Sequence, residues 1–124
     1  MSPLTARQPT PEEWPRIDRS IGHAFGEAVP GPREFVEEVD RMKPWPMRIG
    51  VFNGDRAVGG CFAFPMDISL PGGQLVPVSA LAGVGISPPE TGRGGLRAMM
   101  RLHLEQAIEV GAIASVLIAS ESSI

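Results

Sequence analysis

The chain has 124 residues, 43% of them hydrophobic and 20% charged, which suits one folded domain or part of one and excludes bulk disorder. A net charge of −3 carries no basic surplus for general nucleic-acid binding, and a single cysteine, Cys61, excludes an internal disulfide or a multi-cysteine metal site. The longest apolar run, Val110–Ala119, is roughly half of what a bilayer span needs, and Met1–Arg7 has no apolar core of a signal peptide, so a cytoplasmic protein away from membranes is expected.

Leu4–Gln8 reads as a short opening strand. Thr10-Pro11-Glu12-Glu13 is a helix start, with Thr10 as N-cap, Pro11 in the first turn and Glu13 completing a capping box. Trp14, Ile17, Ile21 and Phe25 give that helix one apolar face. Pro15 sits deep for a first turn and predicts a distorted start, and Gly26 is the stop. Pro32 opens a shorter helix with Phe35, Val36 and Val39 inward, ended by Pro44-Trp45-Pro46. From Met47 the period changes to two. Met47–Phe52 and Ala57–Phe64 flank Asn53-Gly54-Asp55, a hairpin signal, and Pro65 is expected to close the second strand.

Pro71-Gly72-Gly73 turns the chain back, so Leu75–Ile86 is expected antiparallel to the preceding strand. Strict alternation puts Val76, Val78, Ala80, Ala82, Val84 and Ile86 on one face and Ser79, Leu81, Gly83 and Gly85 on the other. A glycine-rich loop follows, then a helix to about Val110 whose buried stripe is expected to be Leu96, Met99, Met100, Leu104, Ala107 and Ile108. Gly111 stops it, and Ala112–Ala119 reads as a strand buried on both faces in a parallel pair. The fold class is α/β, with a mixed sheet ending in a strand–helix–strand unit.

A glycine-rich turn from a strand into a helix invites an anion, because the first-turn N–H groups are unpaired and glycines let a phosphate approach the backbone. Arg93 and Arg97 would add charge-assisted contacts. The bland alternative, in which the glycines only make a tight connection and the arginines are solvated, stays open on this stretch alone. Two phosphate motifs fall. A P-loop needs Lys-Ser or Lys-Thr where Leu96-Arg97 stand, and a dinucleotide fingerprint from Gly92 demands Gly or Ala at Arg97.

Val84-Gly85-Ile86-Ser87-Pro88, then Arg93-Gly94-Gly95-Leu96-Arg97-Ala98-Met99-Met100, then Ala119-Ser120-Glu121 resembles the acyl-CoA-binding core of GNAT-superfamily N-acetyltransferases. Within that superfamily it looks most like the enhanced-intracellular-survival type of actinobacteria. The resemblance implies the GNAT fold, with residues 1–124 as the N-terminal part of an acetyltransferase domain and residues 76–121 as its cofactor core. It implies acetyl-CoA as acyl donor and a primary amine as acceptor, on a small molecule such as an aminoglycoside or on a protein lysine. The backbone of Val84, Gly85 and Ile86 would pair with the pantetheine arm. Gly92, Arg93, Gly94, Gly95, Leu96 and Arg97 would hold the pyrophosphate. Ser120 and Glu121 would lie beside the thioester.

The chain departs from that pattern in places. Thr91 stands where the superfamily loop has Arg or Gln, the branch's arginine run shrinks to Arg93, and Gly95 replaces a common Leu. Weaker cofactor affinity is therefore expected. The tyrosine that serves the branch as general acid has no counterpart, since the sequence contains none. The branch's C-terminal carboxylate base also lies in segments not present here. The expectation is a domain truncated after the strand that follows the cofactor helix, with no catalytic residue assigned. The alternatives are a non-catalytic CoA-binding or interaction module and a non-functional gene fragment; homo-oligomerisation is a further expectation of the resemblance. Cys61 reads as a buried inert thiol, His103 as a partly covered helix residue, and His23 and His103 together make no metal site. Glu27 is a candidate for the rim of an amine-binding mouth.

Overall fold

The computed structural model describes residues 3–26 and 47–117. The expected helix after Pro32, Glu27, Trp45, Ser120 and Glu121 lie outside the described residues. The elements are β1 (Thr5–Arg7), α1 (Trp14–Ala24), β2 (Met47–Asn53), β3 (Arg56–Ser69), β4 (Leu75–Ile86), α2 (Gly95–Glu109) and β5 (Ser115–Val116). They build one sheet of order β1-β2-β3-β4-β5, antiparallel throughout except for the parallel β4–β5 pair. This is the mixed α/β architecture expected from the sequence.

The start of α1 settles the Pro15 question. Pro11–Glu13 form a 3-10 turn, and α1 itself begins at Trp14 with Pro15 inside its first turn, where no backbone N–H is missed. The Thr10 N–H donates to Glu13 Oε1 at 3.0 Å, as the capping box requires, and Arg7 donates to both Glu13 oxygens. These donors, Arg7 first, pull the Glu13 carboxyl down to about 2. At the other end Gly26, at φ +67°, lets its N–H reach the His23 carbonyl and stop the helix.

The two helices occupy opposite faces of the sheet. Ile17 and Ile21 of α1 cluster with Phe52, whereas Met99 of α2 joins Leu4, Ile49, Val51, Val58, Cys61, Ala63 and Leu81. Neighbouring residues on β2 thus serve different cores, as the pleat demands. A row of glycines, Gly50, Gly60 and Gly85, crosses the three central strands in register beneath α1. A Cβ at Gly60 would come within 2.7 Å of Ile17 Cγ2 and 2.4 Å of the Ile49 carbonyl oxygen, and one at Gly85 within 3.0 Å of Ala24 Cβ. The row is what lets α1 lie close on the sheet.

Four sequence expectations change in the fold. Pro65 does not close β3, which runs on to Ser69; among the described residues the β2 pairing stops at Met47↔Ala63, so Pro65 interrupts no described ladder on that side. The alternation of β4 breaks where Cys61 alone opposes Gly83 and Val84, a bulge with Gly83 at φ +60°. The bulge resets the pleat, so Leu81 packs in the same core as Val84 and Ile86 instead of opposite them. The stripe of α2 is also rotated. Gly95, Met99, His103 and Ala107 are buried, while Leu96, Leu104 and Ile108 are exposed. Finally, the last strand is not buried on both faces within its described part: Ser115 and Val116 are half-buried and Leu117 is exposed.

Candidate functional site

β4 runs beyond its pairing with β5, which is confined to Ser79↔Ser115 and Ala80↔Val116. From Leu81 to Ile86 the β4 edge on that side has no strand partner among the described residues. After Ile86 the Ser87 N–H donates to the Val58 carbonyl at 2.7 Å and pins the chain as it leaves the sheet. Pro88–Glu90 then make a 3-10 turn held by Glu90 N–H donating to the Ser87 carbonyl at 2.8 Å. Gly92 and Gly94 are left-handed, at φ +78° and +79°, and Gly94 is the N-cap of α2. No side chain caps this helix, so its first N–H groups stay open at the helix end that carries partial positive charge.

The open β4 end and the α2 start face one another across a cavity of about 410 Å³. Of the eleven residues singled out from the sequence, Val84, Gly85, Ile86, Gly92, Gly94, Gly95, Leu96 and Arg97 line it together. A Cβ added at Gly92 or Gly94 would meet nothing within 4 Å, so their backbone is open to an approaching group. Gly95 serves packing too: its Cβ would lie 3.1–3.3 Å from Leu4, Ile86 and Val51. Arg93 takes a different place. It donates to Glu90 Oε2, while Arg56 donates to Glu90 Oε1, and the Glu90 carboxylate between them is buried. Ser120 and Glu121 lie outside the described residues.

Glu90 and Thr91 also line the cavity and were not singled out from the sequence. The signal for Glu90 was present in the i,i+3 spacing of Glu90 and Arg93 across the turn. Its second partner was not, because Arg56 lies on a distant hairpin. A second surface hollow of about 340 Å³ lies between β1 and α2, lined by Ala6, Arg97 and Arg101 among others.

The remaining reactive groups sit away from this cavity. Cys61 is buried in the α2-side core, and burial pushes its thiol up to about 12, which leaves it protonated and inert. His103 is fully buried on α2, with Nε2 2.5 Å from the Ser115 hydroxyl oxygen. Among the described residues, His103 Nδ1 and the Ser79 hydroxyl beside that strand pair have no partner, and burial lowers the His103 pKa. Among the described residues, no group of three or more His, Cys, Asp or Glu could hold a metal ion, and no helix is long and apolar enough to cross a membrane.

The fold is shared with solved N-acetyltransferases. Eis1 from Mycobacterium abscessus superposes with a TM-score of 0.80 at 25% identity, over 98% of this chain and 29% of that one. A GCN5-related N-acetyltransferase from Anabaena variabilis does so with a TM-score of 0.79 at 22% identity, over 97% of this chain and 30% of that one. In sequence, an uncharacterized N-acetyltransferase of Streptomyces avermitilis is 40% identical over 118 residues, which span 91% of this chain and 27% of the relative. The chain therefore spans under a third of the length of each of these proteins. Residues 5–124 match the acetyltransferase (GNAT) domain family, and the chain belongs to that family.

Proposed function

We propose that the chain is the N-terminal, cofactor-binding part of an acetyl-CoA-dependent N-acetyltransferase of the enhanced-intracellular-survival type, with residues 76–121 as its cofactor core. The observation that carries this reading is the cavity between the open β4 end and the α2 start. A pantetheine arm is a chain of amides, and the free edge of Val84, Gly85 and Ile86 offers it strand-like hydrogen bonds. A pyrophosphate is matched by the open N–H groups at Gly94–Arg97, by the unobstructed backbone of Gly92 and Gly94, and by the Arg97 guanidinium. The bulge at Gly83–Val84 turns the backbone where the strand edge opens, beside the expected position of the thioester. The likeness to Eis1 supports the type.

The acyl donor supplies an activated thioester, and the protein supplies orientation. Holding the thioester against the strand edge converts acyl transfer to a bound amine into an effectively unimolecular step. The acceptor in this reading is a primary amine of a small molecule such as an aminoglycoside, or of a protein lysine, met in the cytoplasm. Ser120 and Glu121 belong to the thioester end. Homo-oligomerisation is part of the same reading. A second reading of the same cavity is CoA binding without turnover.

Calorimetry with acetyl-CoA tests the binding claim. The chain is expected to bind, and Arg97→Ala to weaken binding about tenfold, the worth of one charge-assisted contact. Absence of heat from both proteins overturns the cofactor assignment. Thiol release with polyamine or aminoglycoside acceptors then separates the two readings, since turnover above the acceptor-free blank removes the second.

A further inference from the structure

We propose that Glu90 sets the protein's affinity for the pyrophosphate of its acyl donor by competing with that pyrophosphate for Arg93; the inference rests on the acetyl-CoA reading above. Among the described residues that line the cavity, Glu90 is the only acid. A carboxylate in the wall of an anion site opposes the anion unless something offsets its charge. Here two arginines do so, one on each oxygen: Arg56 on Oε1 and Arg93 on Oε2.

The two partners are not equivalent. Neither lines the cavity itself, but Arg56 comes from the start of β3, whereas Arg93 lies between Gly92 and Gly94, which do line it. An anion at the α2 start and the Glu90 carboxylate are therefore rival acceptors for one guanidinium. Carboxylate and phosphate oxygens both match its planar fork. The divided arrangement makes an exchange feasible. When Arg93 turns to the phosphate, Arg56 still neutralises Glu90, and no buried carboxylate is left uncompensated. Glu90 thus acts through Arg93 as a positioning residue: it holds the guanidinium beside the site, and binding must give up the Glu90–Arg93 pair.

Acetyl-CoA binding to the whole chain, measured by calorimetry with Glu90→Gln, Arg93→Ala and the double variant, is the test. Glu90→Gln keeps the shape and removes the competing charge, and is expected to tighten binding about tenfold, as for one charge-assisted hydrogen bond gained. The gain is expected to vanish in the Arg93→Ala background, because the two residues act on each other. Equal or weaker binding by a folded Glu90→Gln protein overturns the proposal, as does a gain that survives without Arg93. If Glu90→Gln does not fold, Arg56→Met takes its place. It leaves Arg93 as the sole arginine on Glu90 and is expected to weaken binding several-fold; unchanged or tighter binding overturns the proposal. Binding that is normal in the unsubstituted chain while these variants fail the expectation leaves the acetyl-CoA reading standing. Binding by none of the proteins defeats both.

Discussion

His103 shows how one residue's chemistry follows from its surroundings. Its i+4 spacing from Met99 places it on the buried stripe of α2, against Ser115 of β5, with Nδ1 unpartnered among the described residues. Neutral imidazole is favoured in such a place, so the folded-state pKa lies below the ordinary 6.5. The unfolded chain then takes up a proton that the folded chain refuses. Stability is full above about pH 6.5 and falls as pH drops from there towards the depressed folded value. Melting temperatures followed from pH 8 to pH 5 are expected to decline below pH 6.5 for the chain and to decline less for His103→Gln. Equal slopes would show that other groups carry the effect. The residue was legible in the sequence as a helix position near a methionine stripe, but its burial was not, because apolar spacing points to Leu104 and Ile108 as readily as to His103.

At the scale of elements, turns and caps were the most legible features. The capping box at Thr10, the Gly54-Asp55 turn between β2 and β3, the stop at Gly26 and the loop before α2 each depend on a few adjacent residues, and each is seen. Faces were less legible. The bulge on β4 needs Gly83 on one strand and the Phe62 ring on another, where a Cβ would come within 2.6 Å of the ring. The Gly50–Gly60–Gly85 row likewise has meaning only once three strands are in register under α1. Gly60→Val is expected to lower stability by about 1–3 kcal/mol through overpacking, read as a lower denaturant midpoint. An unchanged midpoint would mean that α1 is not held close by this row.

For the whole molecule, apolar side chains that the helix and strand patterns would have buried are instead outside. Leu104 and Ile108 on α2 and Ile113 and Leu117 around β5 are all more than half exposed. Exposed apolar groups of this kind favour association. Ile108→Lys and Ile113→Lys together are expected to raise the concentration at which the chain self-associates in light scattering, with melting temperature little changed. If association persists unchanged, this surface does not drive it. The relatives are more than three times longer than the part they share with this chain, and that shared part carries both the sheet and the candidate cofactor cavity.

The candidate site was legible to the extent that its parts are contiguous. Val84–Ile86 and Gly92–Arg97 are short runs whose strand edge, positive-φ glycines and helix start follow from local backbone preference, and eight of those residues meet at one cavity. Adjacent residues are enough to set where strands turn, where α2 starts, and which loop exposes its backbone. Which side of α2 is buried, where β4 shifts register, and that Glu90 is shared by Arg93 and Arg56 emerge only once the sheet is assembled. The physical reason is range. Backbone propensities and capping act over three or four residues, whereas burial and ion pairing depend on which distant segments the sheet brings together.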